Sequence, residues 1–106
     1  MHMILDALTD FHLFHCGLNN HNKVWGYFAH GAQLWAFWGA VGKSCSFKYH
    51  GQDDLWNRTF VRDLAKVKLR KGYSETQLSE WDVWDPAWRD KFNERFIYFL
   101  LQQPAI

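Results

Sequence analysis

Two cysteines and six histidines are the residues of this 106-residue chain best suited to metal or nucleophilic chemistry. His12, His15 and Cys16 lie close together, and Cys45 with His50 offers two further ligands. Their spacing lacks the paired Cys-x-x-Cys or His-x-x-x-His pattern that fixes a zinc site, and six histidines in a small chain cluster by chance. No metal and no other cofactor is expected. Cys45 beside a histidine suggests a thiol nucleophile, but no third orienting group or oxyanion device accompanies it. The chain is therefore read as non-enzymatic, with no catalytic residues and no small-molecule substrate.

What remains is the chemistry of contact. Seven tryptophans and an aromatic share of 19% exceed what so small a core needs, and Trp is enriched at interfaces. They are dense in NKVWGYFAHGAQLWAFWGAVGK, residues 22–43. Alternation along residues 33–41 puts Leu34, Ala36, Trp38 and Ala40 on one face, and Trp35, Phe37 and Val41 on the other. Both faces are apolar, so one meets a helix and the other is covered by the C-terminal segment or by a partner. Farther on, Arg58, Arg62, Lys66 and Arg70 recur at every fourth position, within about 120° of one another on a helix. Such a ridge suits a row of phosphates, although charge runs are also the ordinary solvated side of a helix. Charge is unevenly spread: residues 1–51 carry +1, residues 52–72 carry +3 and residues 73–106 carry −3. The acidic end holds Glu80, Asp82, Asp85, Asp90 and Glu94 around a stripe of Trp81, Trp84, Trp88, Phe92, Phe96 and Phe99. That stripe is either a lid on the sheet or a docking seam.

The elements that must position these residues follow from size and periodicity. A chain of this length is one domain, residues 1–106, and buries about 65% of its unfolded surface. A hydrophobic share of 48% excludes disorder. Two cysteines make no disulfide framework, so free thiols and a cytoplasmic location are expected. The opening MHMILDALTD has no basic leading region, and Asp6 and Asp10 interrupt its apolar run, so it is not read as a signal peptide. No apolar stretch reaches the ~18 residues of a membrane span, and no membrane partner is expected. Residues 11–18, 24–30, 33–41 and 44–50 read as short antiparallel strands, with Gly31-Ala32 as a hairpin turn and Asn19–Asn22 as another. From residue 52 to 71 the period changes, and Trp56, Phe60, Leu64 and Val67, spaced 4, 4 and 3, mark the apolar face of a helix. Asp53 and Asp54 suit its start, Lys68, Arg70 and Lys71 its end, and Gly72 its stop. A second helix is predicted from Asp85 as N-cap and Pro86 as first helical position, with Trp81 and Trp84 in a preceding turn and Pro104 as terminator.

The order of these features resembles the WGR domain, named for a Trp-Gly-Arg triplet and found in DNA-dependent poly(ADP-ribose) polymerases and many bacterial proteins. Asn22-Lys23 followed by Trp25 opens the hairpin, Trp38-Gly39 is followed by Val41-Gly42, and the helix leads to Lys71-Gly72-Tyr73. The resemblance covers residues 12–76, leaving residues 77–106 as an aromatic and acidic helical extension. It implies an α+β fold: a twisted antiparallel sheet of about four to five strands, one long helix across it, and a C-terminal helix. In the polymerases the domain binds DNA at breaks, its motif Trp on the terminal sugar and its Asn-Lys pair, Arg and post-helix Tyr near the backbone. By position these are Trp38, Asn22, Lys23 and Tyr73. The Arg of the triplet is Ala40 here, which removes a planar fork of donors.

Two expectations follow. The first is a nucleic-acid-binding module that reads DNA ends, nicks or exposed strands through Trp38, with Asn22, Lys23, Lys43 and Tyr73 on the backbone and Arg58, Arg62 and Lys66 along the helix. The second is a protein-interaction adaptor, inhibitor or regulator, acting as a homodimer or on another protein through Trp81, Trp84, Trp88 and Phe92.

Overall fold

The computed structural model describes residues 7–18 and 22–103. Residues 1–6, 19–21 and 104–106 lie outside them, and with them the signal-peptide, Asn19–Asn22 turn and Pro104 terminator readings. The strands are β1 (Thr9–Cys16), β2 (Lys23–His30), β3 (Gln33–Ala40), β4 (Ser46–Gln52) and β5 (Ser74–Thr76). They form one antiparallel sheet in the order β4-β3-β2-β1-β5. Helix α1 (Leu55–Arg70) leaves one edge strand and leads to the other, crossing one face of the sheet; α2 (Leu78–Trp84) and α3 (Trp88–Gln102) then return over the opposite face. The fold is α+β, and among the described residues no helix is long and apolar enough to cross a membrane.

Strand register decides which residues meet which helix. Gly26 pairs with Phe37, Phe28 with Trp35 and Val24 with Gly39, and these share a face with Leu13 and Phe47. Gly26 leaves the room into which the Phe37 ring folds: a Cβ there would overlap that ring and the His12 carbonyl oxygen. Trp81, Trp88, Phe92 and Phe96 close over this face and are buried with it. The acidic, aromatic extension is thus the intramolecular lid, and Trp81, Trp88 and Phe92 are core residues rather than docking ones. Trp84, 59% exposed, stays outside, its ring against those of Trp81 and His15. The last helix also starts later than its sequence suggests. Ala87 is the N-cap, without a side-chain bond, and Asp85 ends α2 instead, its carbonyl accepting from the Trp88 N–H.

The other face carries Phe14, Trp25, Tyr27 and Ala36, against which α1 sets Val61 and Ala65. Here the sequence pattern misleads. Trp56 and Phe60 are 84% and 54% exposed, so α1 is turned roughly a quarter-turn from the orientation its apolar stripe implies. The reason is room: the rings of Phe14, Trp25 and Tyr27 already fill the interlayer space, and small residues let the helix approach. An ion pair fixes the turn. Arg58 is bound by both Asp53 oxygens at 2.7 Å and by Asp10 on β1, where a positive φ of 50° bends the strand at a register shift.

Candidate nucleic-acid interface

The end of α1 is built by backbone chemistry into a support for a surface pocket. Gly72 takes φ 98°, a conformation that only glycine adopts cheaply. Its N–H donates to the Leu69 carbonyl, and the Tyr73 N–H donates to that of Lys68. This paired closure is a Schellman motif, which brings the residue after the glycine back against the last turn. Here the two side chains brought together are Lys68 and Tyr73, with the ammonium 5.3 Å from the ring centroid. Cation and π face attract each other.

The sheet supplies the other walls. Trp38 pairs with Trp25, and Lys23 pairs with Ala40, all on the α1 face. Trp25 is buried among Phe14 and Tyr27, whereas Trp38, nearer the end of the strand, is 42% exposed. Lys23, Trp38, Ala40, Lys68 and Tyr73 line one concave site, and an adjoining depression adds Cys16 and Lys71. Ala40 contributes no donor but opens the floor, and the lysines crowd the space above it.

That crowding has an electrostatic signature. Burial first, then the charges of Lys71 and Lys23, lower the Lys68 pKa below its ordinary value. Lys68, partly desolvated and repelled by Lys71 and Lys23, gains from an anion shared among the three, because that repulsion is relieved on binding. Burial raises the Tyr73 pKa, with Cys16 adding to the shift, so the phenol keeps its proton and remains a donor at neutral pH. The arrangement offers a point-charge cluster for a phosphate beside a half-exposed indole for a sugar or base.

The expected site residues divide accordingly. Lys23, Trp38 and Tyr73 come together. Asn22 does not: its Oδ1 accepts from His15 Nε2 at 2.6 Å, on the α3 face of the sheet, while its carbonyl accepts from the Val41 N–H. Lys43 lies on the exposed β3–β4 turn, outside the lining residues. The basic ridge winds around α1 instead of running along the pocket, because every fourth residue advances by about 40°. Arg58 is held by carboxylates, Arg62 lies near the Tyr27 phenol, and Lys66 stands outward, 3.7 Å from Asp63. Lys68 and Lys71 were readable as helix-end cations but not as site residues. The Gly72-Tyr73 stop was the available signal, since a Schellman closure folds Tyr73 onto Lys68.

Elsewhere the reactive residues are dispersed. His12 and His15 lie on opposite faces of β1, and His12 bonds Asp10 and Glu75 while stacking on Tyr27. Cys45 is buried, and desolvation pushes its thiol up to about 11, so it is not ionised at neutral pH. Among the described residues no three His, Cys, Asp or Glu side chains gather as a metal site. Compared with protein-family models, curated proteins and solved structures, the chain matches none.

Proposed function

We propose that this chain is a non-enzymatic nucleic-acid-binding module that takes exposed ends, nicks or single strands of DNA. The observation that carries the reading is the convergence of Lys23, Lys68, Tyr73 and the half-exposed Trp38 in one concave site. Sugar and base pack on the indole; phosphate sits among the ammonium groups. This is the mode of proteins that read exposed nucleotides by stacking and charge, with about 1–3 kcal/mol per stacked base. The resemblance of residues 12–76 to the WGR domain supports the same reading, with Lys68 and Lys71 supplying the positive charge that Ala40 does not. Both cysteines are free and buried, in keeping with a cytoplasmic location.

Fluorescence anisotropy of labelled blunt, nicked and 5′-phosphorylated duplexes and of single strands, at two salt concentrations, tests it. Three lysine contacts predict a log–log salt slope of about −2 to −3. Preference for ends or single strands, lost with Trp38→Ala, is expected. No binding at low salt, or binding indifferent to Trp38→Ala, contradicts it.

A protein-docking reading survives in altered form. With Trp81, Trp88 and Phe92 in the core, the aromatic surface that favours it is on α1.

A further inference from the structure

We infer that the outward face of α1 docks, antiparallel, on the same face of a second copy of this chain. Leu55, Trp56 and Phe60 line a shallow groove there with Thr59 and Asp63, and Leu55 is 81% exposed beside the two aromatic rings. The rotation that seats Val61 and Ala65 on the sheet is what turns these side chains outward. Phe60 is held in place by the His50 ring, 5.8 Å away. An apolar cluster on one side of a helix, rimmed by charges, is the usual mark of an interface.

Charge along the helix says what occupies it. Asp54 stands exposed at the start of α1, where Asp53 is already held by Arg58; Lys66 and Arg70 follow on the same outward side as Trp56 toward its end. A partner of single sign suits one end and repels the other. A second α1 laid antiparallel suits both, and it also opposes the two helix dipoles favourably. A two-fold axis crossing the helix near Thr59 gives this arrangement and an isologous interface. It sets Trp56 of each copy against Phe60 and Asp63 of the other, and brings Lys66 of each to the Asp54 end of the other. The long Lys66–Asp63 contact within one copy leaves that ammonium free to shift.

The area fits a reversible dimer. Leu55, Trp56 and Phe60 from both copies would remove roughly 900 Å² from water, approaching the ~1,200 Å² at which stable interfaces begin. Micromolar self-association is the expected strength. Residues 68–73 lie beyond the overlapping stretch, so each copy keeps its Trp38 pocket open, and the pairing stands or falls independently of nucleic-acid binding.

Sedimentation velocity of the full chain from low micromolar to millimolar concentration is the test, beside Trp56→Asp and Lys66→Glu. A concentration-dependent dimer is expected, weakened about tenfold or more by Trp56→Asp and less, in a salt-dependent way, by Lys66→Glu. Because Trp56 is exposed, circular dichroism should show the variant folded. Independently, Thr59→Cys at the axis should cross-link two copies under mild oxidation, whereas Glu94→Cys on α3 should not. A monomer at every concentration overturns the proposal. So does a dimer indifferent to Trp56→Asp, or cross-linking at Glu94→Cys as fast as at Thr59→Cys.

Discussion

Under α3, the rings of Phe28, Phe37, Phe47, Phe92 and Phe96 meet one another at centroid distances of 5.0 to 6.3 Å and are all buried. Under α1, the same sheet buries Phe14, Trp25 and Tyr27 but then runs out from beneath the helix into Trp38 and Lys23. One face is sealed by rings on both layers; the other is bridged by a helix that touches it through Val61 and Ala65. Aromatic packing of the first kind carries stability. A half-covered face leaves an indole and charged side chains available for the contacts proposed above.

The contrast breaks most easily on its sealed side. Phe96→Ala removes a ring packed against Phe28, Trp35 and Phe47 and should cost about 3–5 kcal/mol. In urea unfolding that is a large part of the ~5–15 kcal/mol of a small domain. The binding affinity of the folded fraction should be unchanged. A midpoint that hardly moves would mean that α3 is not the lid described here.

Trp38→Ala should do the reverse. Binding is expected to fall by about 1–3 kcal/mol, while unfolding shifts by about 1 kcal/mol or less, because the indole is half in solvent. Equal losses in both measurements would erase the division of labour between the faces.

Gly72→Ala joins the two readouts. The φ of 98° penalises any side chain, and the new Cβ meets Leu18 Cδ1 at 2.5 Å, so a stability loss of about 1–2 kcal/mol is expected. Affinity should fall with it, since the Schellman closure holds Tyr73 against Lys68. Affinity that stays intact would show the pocket to be independent of that closure.

The smallest effect is electrostatic. Lys68 has a lowered pKa in the folded state, so the protonated group disfavours folding, and the penalty fades as pH rises through that folded value toward the ordinary lysine value. Across that alkaline window wild type should therefore gain slightly in stability relative to Lys68→Gln, while its affinity for a phosphate-bearing strand declines. Parallel stability profiles for the two proteins would mean that burial and the neighbouring lysines do not perturb Lys68.

How far these features were legible depended on whether the cause was local. Alternation along β3 separated Trp35 and Phe37 from Trp38 correctly, because strand period is a backbone property. The stop at Gly72 was equally plain, since an obligatory positive φ leaves a glycine in the chain. The orientation of α1 was not. Its apolar stripe at Trp56, Phe60, Leu64 and Val67 obeys the helix period, yet the choice of contact face is made by the bulk of Phe14, Trp25 and Tyr27 and by Asp10 reaching Arg58 from another strand. β5 was also hidden: Ser74, Glu75 and Thr76 become a strand only through pairing with β1. Within the site, Lys23, Trp38 and Tyr73 could be named individually, but Asn22 was misassigned, because its side chain lies on the opposite face with His15.

The most direct test of the central claim is an NMR titration that follows the seven indole N–H signals and the backbone amides as a short 5′-phosphorylated single strand is added. The account predicts saturable shifts at Trp38, Lys23, Lys68 and Tyr73, with Trp35, Trp88 and the exposed Trp56 unmoved. Shifts centred on Trp56 or Trp84 with Trp38 silent, or no shift at low salt, would contradict it.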